Sequence, residues 1–302
     1  MRAMKIAAAV IAVFVLLSAL LYWEFPQVIL VAIYKSYEWQ AGVEAKEIQV
    51  DGYSIPYYEG GEGEVLVLIH GFGDSKTSFL QAARWLTPKY RVILPEMPGF
   101  GDTARVAGRD HGIRSQVETL YGFFQQLGLR RFHLGGNSMG GHLSVAYALA
   151  YPEQVNRLIL ISASGLKVTE KIPFSPVEKP IQTGEDFDRY MDEVFVKKPW
   201  IPEPFKKHFM AKSAQDFEWM NEVRAQIRAD PDYILNDRVV GISQKTLIVW
   251  GKQDKIVEFA SGEAYHRWIP GSQLEIYDPG GHSPQYEYPH RTAETILDFL
   301  ER

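Results

Sequence analysis

One serine lies in a run of small residues that suits a nucleophile. The run Gly136-Asn137-Ser138-Met139-Gly140 matches the pattern G-x-S-x-G, in which a serine occupies a sharp turn between a strand and a helix. A short apolar stretch precedes it, and a helix-forming stretch rich in alanine and leucine follows it. The alternative is a glycine-rich loop without chemistry. Glycine on both sides is a steric requirement at so sharp a turn. Ser138 is therefore predicted to attack a substrate.

A serine hydroxyl is a weak nucleophile near neutral pH, so it needs a base and an acid that orients the base. His282 is the best base among the eight histidines, because it follows the last predicted strand on a glycine-rich loop. Asp254 is the preferred acid, since it directly follows a predicted parallel strand and its carboxylate would hold the histidine tautomer. Asp278 is the competitor, but it ends the strand that leads to the histidine loop and is predicted to serve that turn.

Two backbone N–H groups are needed to stabilise the oxyanion that forms when a carbonyl is attacked. Met139 follows the nucleophile, and Phe72 follows the His70-Gly71 pair at the end of another predicted strand. These two are the predicted donors, and His70 is predicted to be a scaffold residue. The six remaining histidines are interpreted as structural or exposed, four of them in polar, surface-like segments: His133 and His142, then His111, His208, His266 and His290.

The overall composition excludes several classes of function. The chain has 302 residues, enough for one large α/β domain or two small ones. Lys and Arg number 32 against 37 Asp and Glu, and no basic block stands out, so nucleic acid is not expected as a partner. Cysteine is absent, which excludes disulfides, a cysteine nucleophile, a thiolate zinc site and a lipidated N-terminal cysteine.

Strands and helices alternate along most of the chain. Residues 47–58 read as an antiparallel hairpin around Asp51-Gly52. Further strands are predicted at 65–69, 91–94, 132–134, 157–162, 246–250 and 274–277, with helices at 78–86, 113–127, 139–151, 258–268 and 290–300. This order predicts a doubly wound, mostly parallel sheet with catalytic loops at the carboxyl ends of the strands. It is the α/β-hydrolase pattern.

The alternation breaks in residues 167–238, which carry seven of the seventeen prolines and many aromatic side chains. This segment is predicted to form a helical cap, inserted after the fifth parallel-sheet strand and covering the strand ends. Its apolar side chains would line a slot for an acyl chain. The alternative is a helical subdomain with a small core of its own. The α/β-hydrolase core is accordingly predicted at 45–166 and 239–302.

The first 44 residues are predicted to contact a membrane. Residues 6–23 carry no charge, and at about 1.5 Å per residue this helix reaches about 27 Å, enough to cross a bilayer core. A cleaved signal peptide is the alternative, but the residues around Ser18 make a poor cleavage site. Residues 1–24 are predicted as a retained transmembrane anchor. Residues 25–44 are predicted as a helix at the membrane surface, or else one docked on the globular domain.

The charges around the anchor predict its orientation. Arg2 and Lys5 precede the span, whereas Glu24, Lys35 and Glu38 nearly cancel after it. By the positive-inside rule the N-terminus is cytoplasmic and the rest of the chain lies on the other side. In a bacterium this would be the inner membrane, with the catalytic domain in the periplasm.

Several motifs together resemble those of membrane-anchored lipases of the α/β-hydrolase superfamily, namely monoacylglycerol-lipase-like serine hydrolases and bacterial membrane-bound phospholipases A1. The resemblance extends over nearly the whole chain and is weakest in the cap. One departure is Glu96, where many relatives have Asp, and little effect on the chemistry is expected. The motifs are His70-Gly71-Phe72, Pro98-Gly99-Phe100-Gly101, Gly136-Asn137-Ser138-Met139-Gly140-Gly141, Trp250-Gly251-Lys252-Gln253-Asp254 and Gly281-His282-Ser283.

The resemblance implies a serine esterase that hydrolyses acyl esters of glycerolipids, such as lysophospholipid, monoacylglycerol or phospholipid, and releases fatty acid without a cofactor or a metal. It places the nucleophile, acid and base at Ser138, Asp254 and His282, and the oxyanion donors at Phe72 and Met139. It also suggests a homodimer formed through the N-terminal helices.

Two other functions compete with this interpretation. A carbon–carbon bond hydrolase of meta-cleavage type also uses Gly-Asn-Ser-Met-Gly-Gly, but such enzymes usually have a different oxyanion loop and an aromatic residue after the catalytic Gly-His. This chain has Phe72-Gly73-Asp74 and Ser283-Pro284 at those places. A non-catalytic lipid-binding protein on a hydrolase scaffold is the second competitor, and the intact Ser, Asp and His set argues against it. Dehalogenases and epoxide hydrolases need Asp where Ser138 stands.

Overall fold

The computed structural model describes residues 2–106, 108–170, 174–175 and 177–302, with side chains from residue 4 onward. One eight-stranded sheet runs through these residues in the order β1-β2-β4-β3-β5-β6-β7-β8. The strands are β1 (Val43–Val50), β2 (Tyr53–Gly60), β3 (Val65–Ile69), β4 (Arg91–Pro95), β5 (Phe132–Asn137), β6 (Val155–Ile161), β7 (Lys245–Gly251) and β8 (Gln273–Tyr277). The strands predicted at 65–69, 91–94, 246–250 and 274–277 are found within one residue.

The helices lie before the sheet, on its two faces and in the insert. They are α1 (Arg2–Glu24), α2 (Pro26–Ala41), α3 (Leu80–Leu86), α4 (Ile113–Gln126), α5 (Met139–Ala150), α6 (Gly184–Val194), α7 (Glu203–Ala229), α8 (Phe259–Trp268), α9 (Pro284–Glu287) and α10 (Pro289–Glu301). Short 3₁₀ turns lie at Lys76–Phe79 and Val239–Gly241. The predicted fold, a mostly parallel α/β-hydrolase sheet behind a long apolar N-terminal helix, is confirmed.

The sheet is buried on both faces, which explains its continuously apolar strands. In β3, Val67 and Ile69 face a core shared with α4, α5 and α8, whereas Leu66 and Leu68 face a second core formed with α3 and α10. Because successive side chains of a strand point to opposite faces, a run without polar residues supplies both cores at once.

The first two strands form a hairpin that leads into the sheet. β1 and β2 pair antiparallel from Val43–Gly60 to Val50–Tyr53, as predicted around Asp51 and Gly52. Both turn residues have positive φ, 49° and 80°, which is the conformation of a type I′ turn and matches the twist of the strands. β2 then pairs antiparallel with β4, and the remaining neighbours are parallel.

The strand order reverses beside β3. From β3 the chain crosses to β4 on one side, and β5 then pairs with β3 on the other, with Ile69 opposite Gly136. The loops that leave β3 and β5 therefore diverge and open a crevice at the carboxyl ends of the strands. Open α/β sheets bind ligands at such a switch point.

The N-terminal helices differ in their contacts. Met4–Glu24 of α1 has a mean hydropathy of 2.5 and none of it is buried, so it is long and apolar enough to cross a membrane. α2 instead docks its C-terminal end on the domain, where Tyr58 donates to buried Glu38 at 2.7 Å. Its earlier residues keep apolar side chains exposed, including Val28 and Val31. β1 already starts at Val43, so the predicted boundary at residue 44 lies inside the first strand.

The insert lies between β6 and β7 and contains α6 and α7. In the described residues β6 is the fourth parallel strand along the chain and not the fifth, because β1 and β2 are antiparallel. Thr183 and Asp186 form a capping box that starts α6. Residues 171–173 and 176, including Pro173 and Pro176 of the predicted insert, lie outside the described residues.

The aromatic residues of the cap serve both predicted arrangements, a small core within the cap and a cover over the ends of the strands. Phe187 and Tyr190 pack on Phe209 with ring centroids 5.3 and 5.4 Å apart, which forms a small core within the cap. Phe174 instead contacts Phe72 on the loop after β3, with centroids 5.7 Å apart. The cap therefore has a core of its own and also reaches the crevice.

Candidate active site

The predicted nucleophile lies at the turn from β5 into α5. Ser138 has φ 55° and ψ −115°, a strained conformation for a residue with a side chain. A Cβ on Gly136 would lie 2.5 Å from the carbonyl oxygen of Ile69, and one on Gly140 would lie 2.1 Å from the same atom. The two glycines thus allow α5 to pass against β3, and the turn presents the serine at the switch point.

The predicted base and acid are hydrogen-bonded to each other. His282 follows β8 and Asp254 follows β7, and Nδ1 of the histidine lies 2.9 Å from Oδ2 and 3.1 Å from Oδ1 of the carboxylate. Oδ1 also accepts from the backbone N–H groups of Ile256 and Val257, each at 2.9 Å, so the carboxylate is held in place. A proton on Nδ1 leaves Nε2 free to accept a proton from a hydroxyl.

A side-chain amide joins the histidine loop to the serine turn. Asn137 Nδ2 donates to the carbonyl oxygens of His282 and Ile161, each at 3.1 Å. Because Asn137 directly precedes Ser138, these bonds fix the histidine loop against the turn. Residues separated by more than a hundred positions in the chain are thus brought to one place.

The competing carboxylate has other partners. Asp278 Oδ2 accepts from Lys252 Nζ at 3.0 Å, and Oδ1 accepts from Gln253 Nε2 at 2.9 Å. These hydrogen bonds from Gln253 and Lys252 hold the pKa of the Asp278 carboxyl below its usual value. Its position and partners tie the strand end to the loop after β7, as the sequence indicated.

The predicted oxyanion donors come from two loops that meet beside the serine. A Cβ on Gly71 would lie 3.4 Å from the Cβ of Ser138, so the backbone that leads to Phe72 runs directly past the nucleophile. Met139 is the first residue of α5 and is fully buried. Its N–H belongs to the first turn of that helix, where unpaired N–H groups favour an anion.

The loop that carries Phe72 is held by buried charged residues. His70 Nε2 accepts from the N–H of Met97 at 3.0 Å and lies 3.2 Å from Oε1 of Glu96. Glu96 also accepts from the backbone N–H and the Nζ of Lys76, at 2.9 and 3.1 Å. Burial raises the pKa of Glu96, but its contacts with His70 and Lys76 outweigh the burial, so this pKa lies below its usual value. His70 is thus a scaffold residue, and Glu96 connects it to Lys76.

A glutamate that the sequence analysis missed links the cap to the histidine loop. Glu287 is 4 % exposed, and its Oε1 accepts from the N–H of Gly281 at 2.8 Å. Its Oε2 accepts from Val196 and Lys197, at 3.0 and 2.7 Å, in the segment between α6 and α7. Next to Gly281, the N–H of His282 donates to the carbonyl of Val194 at 2.8 Å. The position of the cap and that of the base are therefore coupled.

We expect Glu287→Gln to lower both stability and kcat. The amide has one acceptor oxygen for three backbone donors, and its NH₂ group would face N–H groups. The loss of paired buried donors costs about 1–3 kcal/mol of the free energy of unfolding. The measurement is urea unfolding together with kcat on an ester, taken well below the midpoint of thermal unfolding.

Glu294→Gln on α10 is the matched control, because Glu294 is exposed and its ion pair is with exposed His290. An effect of Glu287→Gln on kcat no larger than that of Glu294→Gln would show that this residue does not position the base.

Among the other histidines, His111 departs from its prediction. It was expected in a surface-like segment, but it is 1 % exposed. Its N–H donates to Oε1 of Gln226 at 2.8 Å, and its ring lies 5.1 Å from that of Trp219, both on α7. The cap buries it, and the local sequence carries no sign of that. Among the described residues no group of three or more His, Asp or Glu is arranged to hold a metal.

Comparison with known proteins agrees with the fold. A family model described as alpha/beta hydrolase fold matches residues 64–289. The chain belongs to this family. Lipase 1 of Psychrobacter immobilis is 32 % identical over 273 residues, which covers 86 % of this chain and 85 % of that protein.

Two further α/β hydrolases show the range of chemistry among its relatives. A solved structure of a membrane phospholipase A is 31 % identical with a TM-score of 0.86, covering 100 % of this chain and 98 % of that one. A 2-hydroxy-6-oxononadienedioate/2-hydroxy-6-oxononatrienedioate hydrolase of Escherichia coli (strain K12) is 31 % identical over 266 residues, 82 % of this chain and 91 % of that protein. The similarity to the lipase and to the phospholipase identifies this α/β hydrolase as one of the lipase and esterase type.

Proposed function

We propose that the protein is a membrane-anchored serine esterase that hydrolyses acyl esters of glycerolipids. The observation that carries this proposal is the hydrogen-bonded pair of His282 and Asp254, fixed by Asn137 against the turn that presents Ser138. A hydroxyl on a turn that is tied to a buried base and its orienting acid is suited to acyl transfer.

The reaction proceeds in two halves. Ser138 Oγ attacks the acyl carbonyl carbon while His282 Nε2 takes its proton, and Asp254 stabilises the imidazolium that forms. The backbone N–H groups of Phe72 and Met139 donate to the oxyanion of the tetrahedral intermediate. As the intermediate collapses, the imidazolium protonates the leaving alcohol, and the acyl group remains on Ser138. His282 then deprotonates a water that attacks the acyl-enzyme, and a fatty acid is released.

The test is an ester-release assay with the full chain in detergent. Substrates are p-nitrophenyl esters, a monoacylglycerol, a lysophospholipid and a diacyl phospholipid, and released fatty acid is quantified by mass spectrometry. The proposal expects turnover of p-nitrophenyl esters and of at least one glycerolipid. If the protein hydrolyses none of them, the proposal is wrong.

The membrane anchor is part of the proposal. α1 is apolar and none of Met4–Glu24 is buried, and the early residues of α2 keep apolar side chains such as Val28 and Val31 exposed. Tyr22, near the end of α1, lies 6.1 Å from the ring of Phe205 at the start of α7. An anchor in this position would hold the cap near the bilayer and raise the local concentration of lipid substrate. The charges around α1 favour a cytoplasmic N-terminus and, in a bacterium, a periplasmic domain.

Removal of residues 1–24 is expected to move the protein from the carbonate-washed membrane pellet to the supernatant, because α2 alone is too short to span the bilayer. The measurement is membrane fractionation of cells that express either form, with intact mass of the extracted full chain. A full chain found in the supernatant, or one whose mass lacks the first residues, would contradict a retained anchor. Cross-linking of the full and shortened chains in membranes tests a dimer formed through these helices.

A second function is favoured by the similarity to the Escherichia coli hydrolase described above. A meta-cleavage hydrolase would cleave a carbon–carbon bond of a dienoate with the same serine and histidine. The two functions are separated by offering the full chain a ring-cleavage dienoate and p-nitrophenyl esters of several chain lengths. Turnover of the dienoate that exceeds every ester by tenfold in kcat/KM would replace the esterase proposal.

A further inference from the structure

An arginine of the cap lies over the loop that carries the predicted oxyanion donor. Arg224 is on α7, and its guanidinium carbon is 4.6 Å from the centre of the Phe72 ring. That ring also contacts Phe100 and Phe174, with centroids 5.1 and 5.7 Å away. Phe72 follows Gly71, where an added Cβ would lie 3.4 Å from the Cβ of Ser138, so the ring belongs to the loop that passes the predicted nucleophile. A cation is thus placed on an aromatic ring of that loop.

The charge of this arginine is not neutralised by the described residues. Its NH1 donates to Oδ1 of Asn221 at 3.3 Å, and no described carboxylate pairs with it. The same oxygen already accepts from the N–H of Val177 at 3.2 Å, so a neutral amide oxygen is shared by two donors. Burial lowers the pKa of Arg224 from its usual value. Elsewhere on α7 the partly buried acid Asp216 has two cationic partners, Arg105 and Lys212.

A desolvated cation without an anion is unfavourable unless a ligand supplies the anion. Its planar fork carries five N–H groups, and among the described residues only one of them donates, to Asn221, so the others can bind a ligand. A guanidinium with N–H groups to spare is suited to bind an oxyanion.

We propose that Arg224 binds the phosphate of a glycerophospholipid or lysophospholipid whose acyl ester is held at Ser138. This inference rests on the proposed esterase function and assigns a head-group site to it. A guanidinium matches the geometry of phosphate with two parallel hydrogen bonds. In a glycerophospholipid the phosphate and the ester share one glycerol unit, and the loop after β3 both passes Ser138 and carries the ring on which Arg224 lies, so one lipid can engage both residues. Neutral monoacylglycerol would leave the cation unpaired, and the site therefore favours phosphorylated lipids.

The test compares two substrates with one acyl chain, 1-myristoyl-lysophosphatidylglycerol and 1-myristoylglycerol, in one non-ionic detergent. The readout is the ratio of their kcat/KM values for the full chain and its variants. Arg224→Gln is expected to lower this ratio by about 10- to 100-fold, the range for a lost hydrogen bond to a charged group. Arg224→Lys is expected to give a ratio between those of wild type and Arg224→Gln, because lysine keeps the charge but lacks the planar fork of the guanidinium.

Arg228→Gln is the matched control, since Arg228 lies one turn further along α7 and is exposed. It removes the same charge from the same helix and is expected to change the ratio less than twofold.

Two results would overturn the inference while the esterase function stands. In the first, wild type hydrolyses both lipids, and Arg224→Gln changes the ratio of the two kcat/KM values no more than Arg228→Gln does. In the second, Arg224→Gln changes only inhibition by free myristate, which would assign the cation to the product carboxylate. A wild-type protein that hydrolyses neither lipid nor any p-nitrophenyl ester overturns the esterase function itself.

Discussion

Replacement of Ser138 by alanine is expected to lower kcat for ester hydrolysis by about 10⁶-fold, the loss typical when the nucleophile of a serine hydrolase is removed. The turn would keep its shape, because alanine fits the backbone that serine occupies and leaves the close approach of Gly136 and Gly140 to Ile69 unchanged. The acyl-enzyme could not form, so neither half of the reaction would proceed through it. The measurement is the release of p-nitrophenol under single-turnover and steady-state conditions.

Labelling with a fluorophosphonate probe gives the matching control. Wild type is expected to be labelled at Ser138 and the alanine variant to remain unlabelled, with equal circular dichroism spectra. Equal labelling of the two forms would assign the nucleophile to another residue. A wild-type protein that is neither labelled nor hydrolytic would instead be a lipid-binding protein on this scaffold.

Asp254→Asn is expected to lower kcat by about 10⁴-fold, because an amide cannot accept the Nδ1 proton and stabilise the imidazolium as a carboxylate does. Its side-chain oxygen can still accept from Ile256 and Val257, so the loop after β7 is expected to keep its conformation. The amide nitrogen would then face His282 and favour the wrong tautomer. The measurement is kcat on a p-nitrophenyl ester across pH 5–9.

Asp278→Asn is the comparison that separates the two candidate acids. Asp278 accepts from Lys252 and Gln253, and an asparagine retains an acceptor oxygen, so kcat is expected to change less than threefold. If Asp278→Asn lowered kcat far more than Asp254→Asn, the assignment of the acid would be reversed.

The local elements of this protein were determined by its sequence alone. The uniformly apolar run of β3 predicted a strand buried on both faces, and its alternate side chains do lie in two different cores. Asp51-Gly52 predicted the hairpin, because two positive φ angles suit a tight turn that matches strand twist. Glycine on both sides of Ser138 was predicted as a steric requirement of a sharp turn, and a Cβ on Gly136 or Gly140 would indeed collide with the carbonyl oxygen of Ile69.

Tertiary structure decided which distant side chains meet. Sequence order left Asp278 as a competitor of Asp254, and only the geometry pairs His282 with Asp254. Glu287 stands in a short polar stretch after the histidine, and nothing local indicates that it holds the cap. The sequence around His111 predicted an exposed residue, but α7 packs over it in the structure.

Local patterns predict strands, helices and turns because hydrophobic periodicity and turn residues depend only on neighbours a few positions away in the chain. Contacts between the cap and the core cannot be predicted from such local patterns. A polar residue that a remote helix buries is surrounded in the sequence by the same kinds of residue as an exposed polar residue. Arg224, which no described carboxylate pairs with, is the clearest case. Seen in the sequence, it is one of many surface-like cations, and only the packing of α7 places it on the ring of Phe72, in the loop that passes the predicted nucleophile.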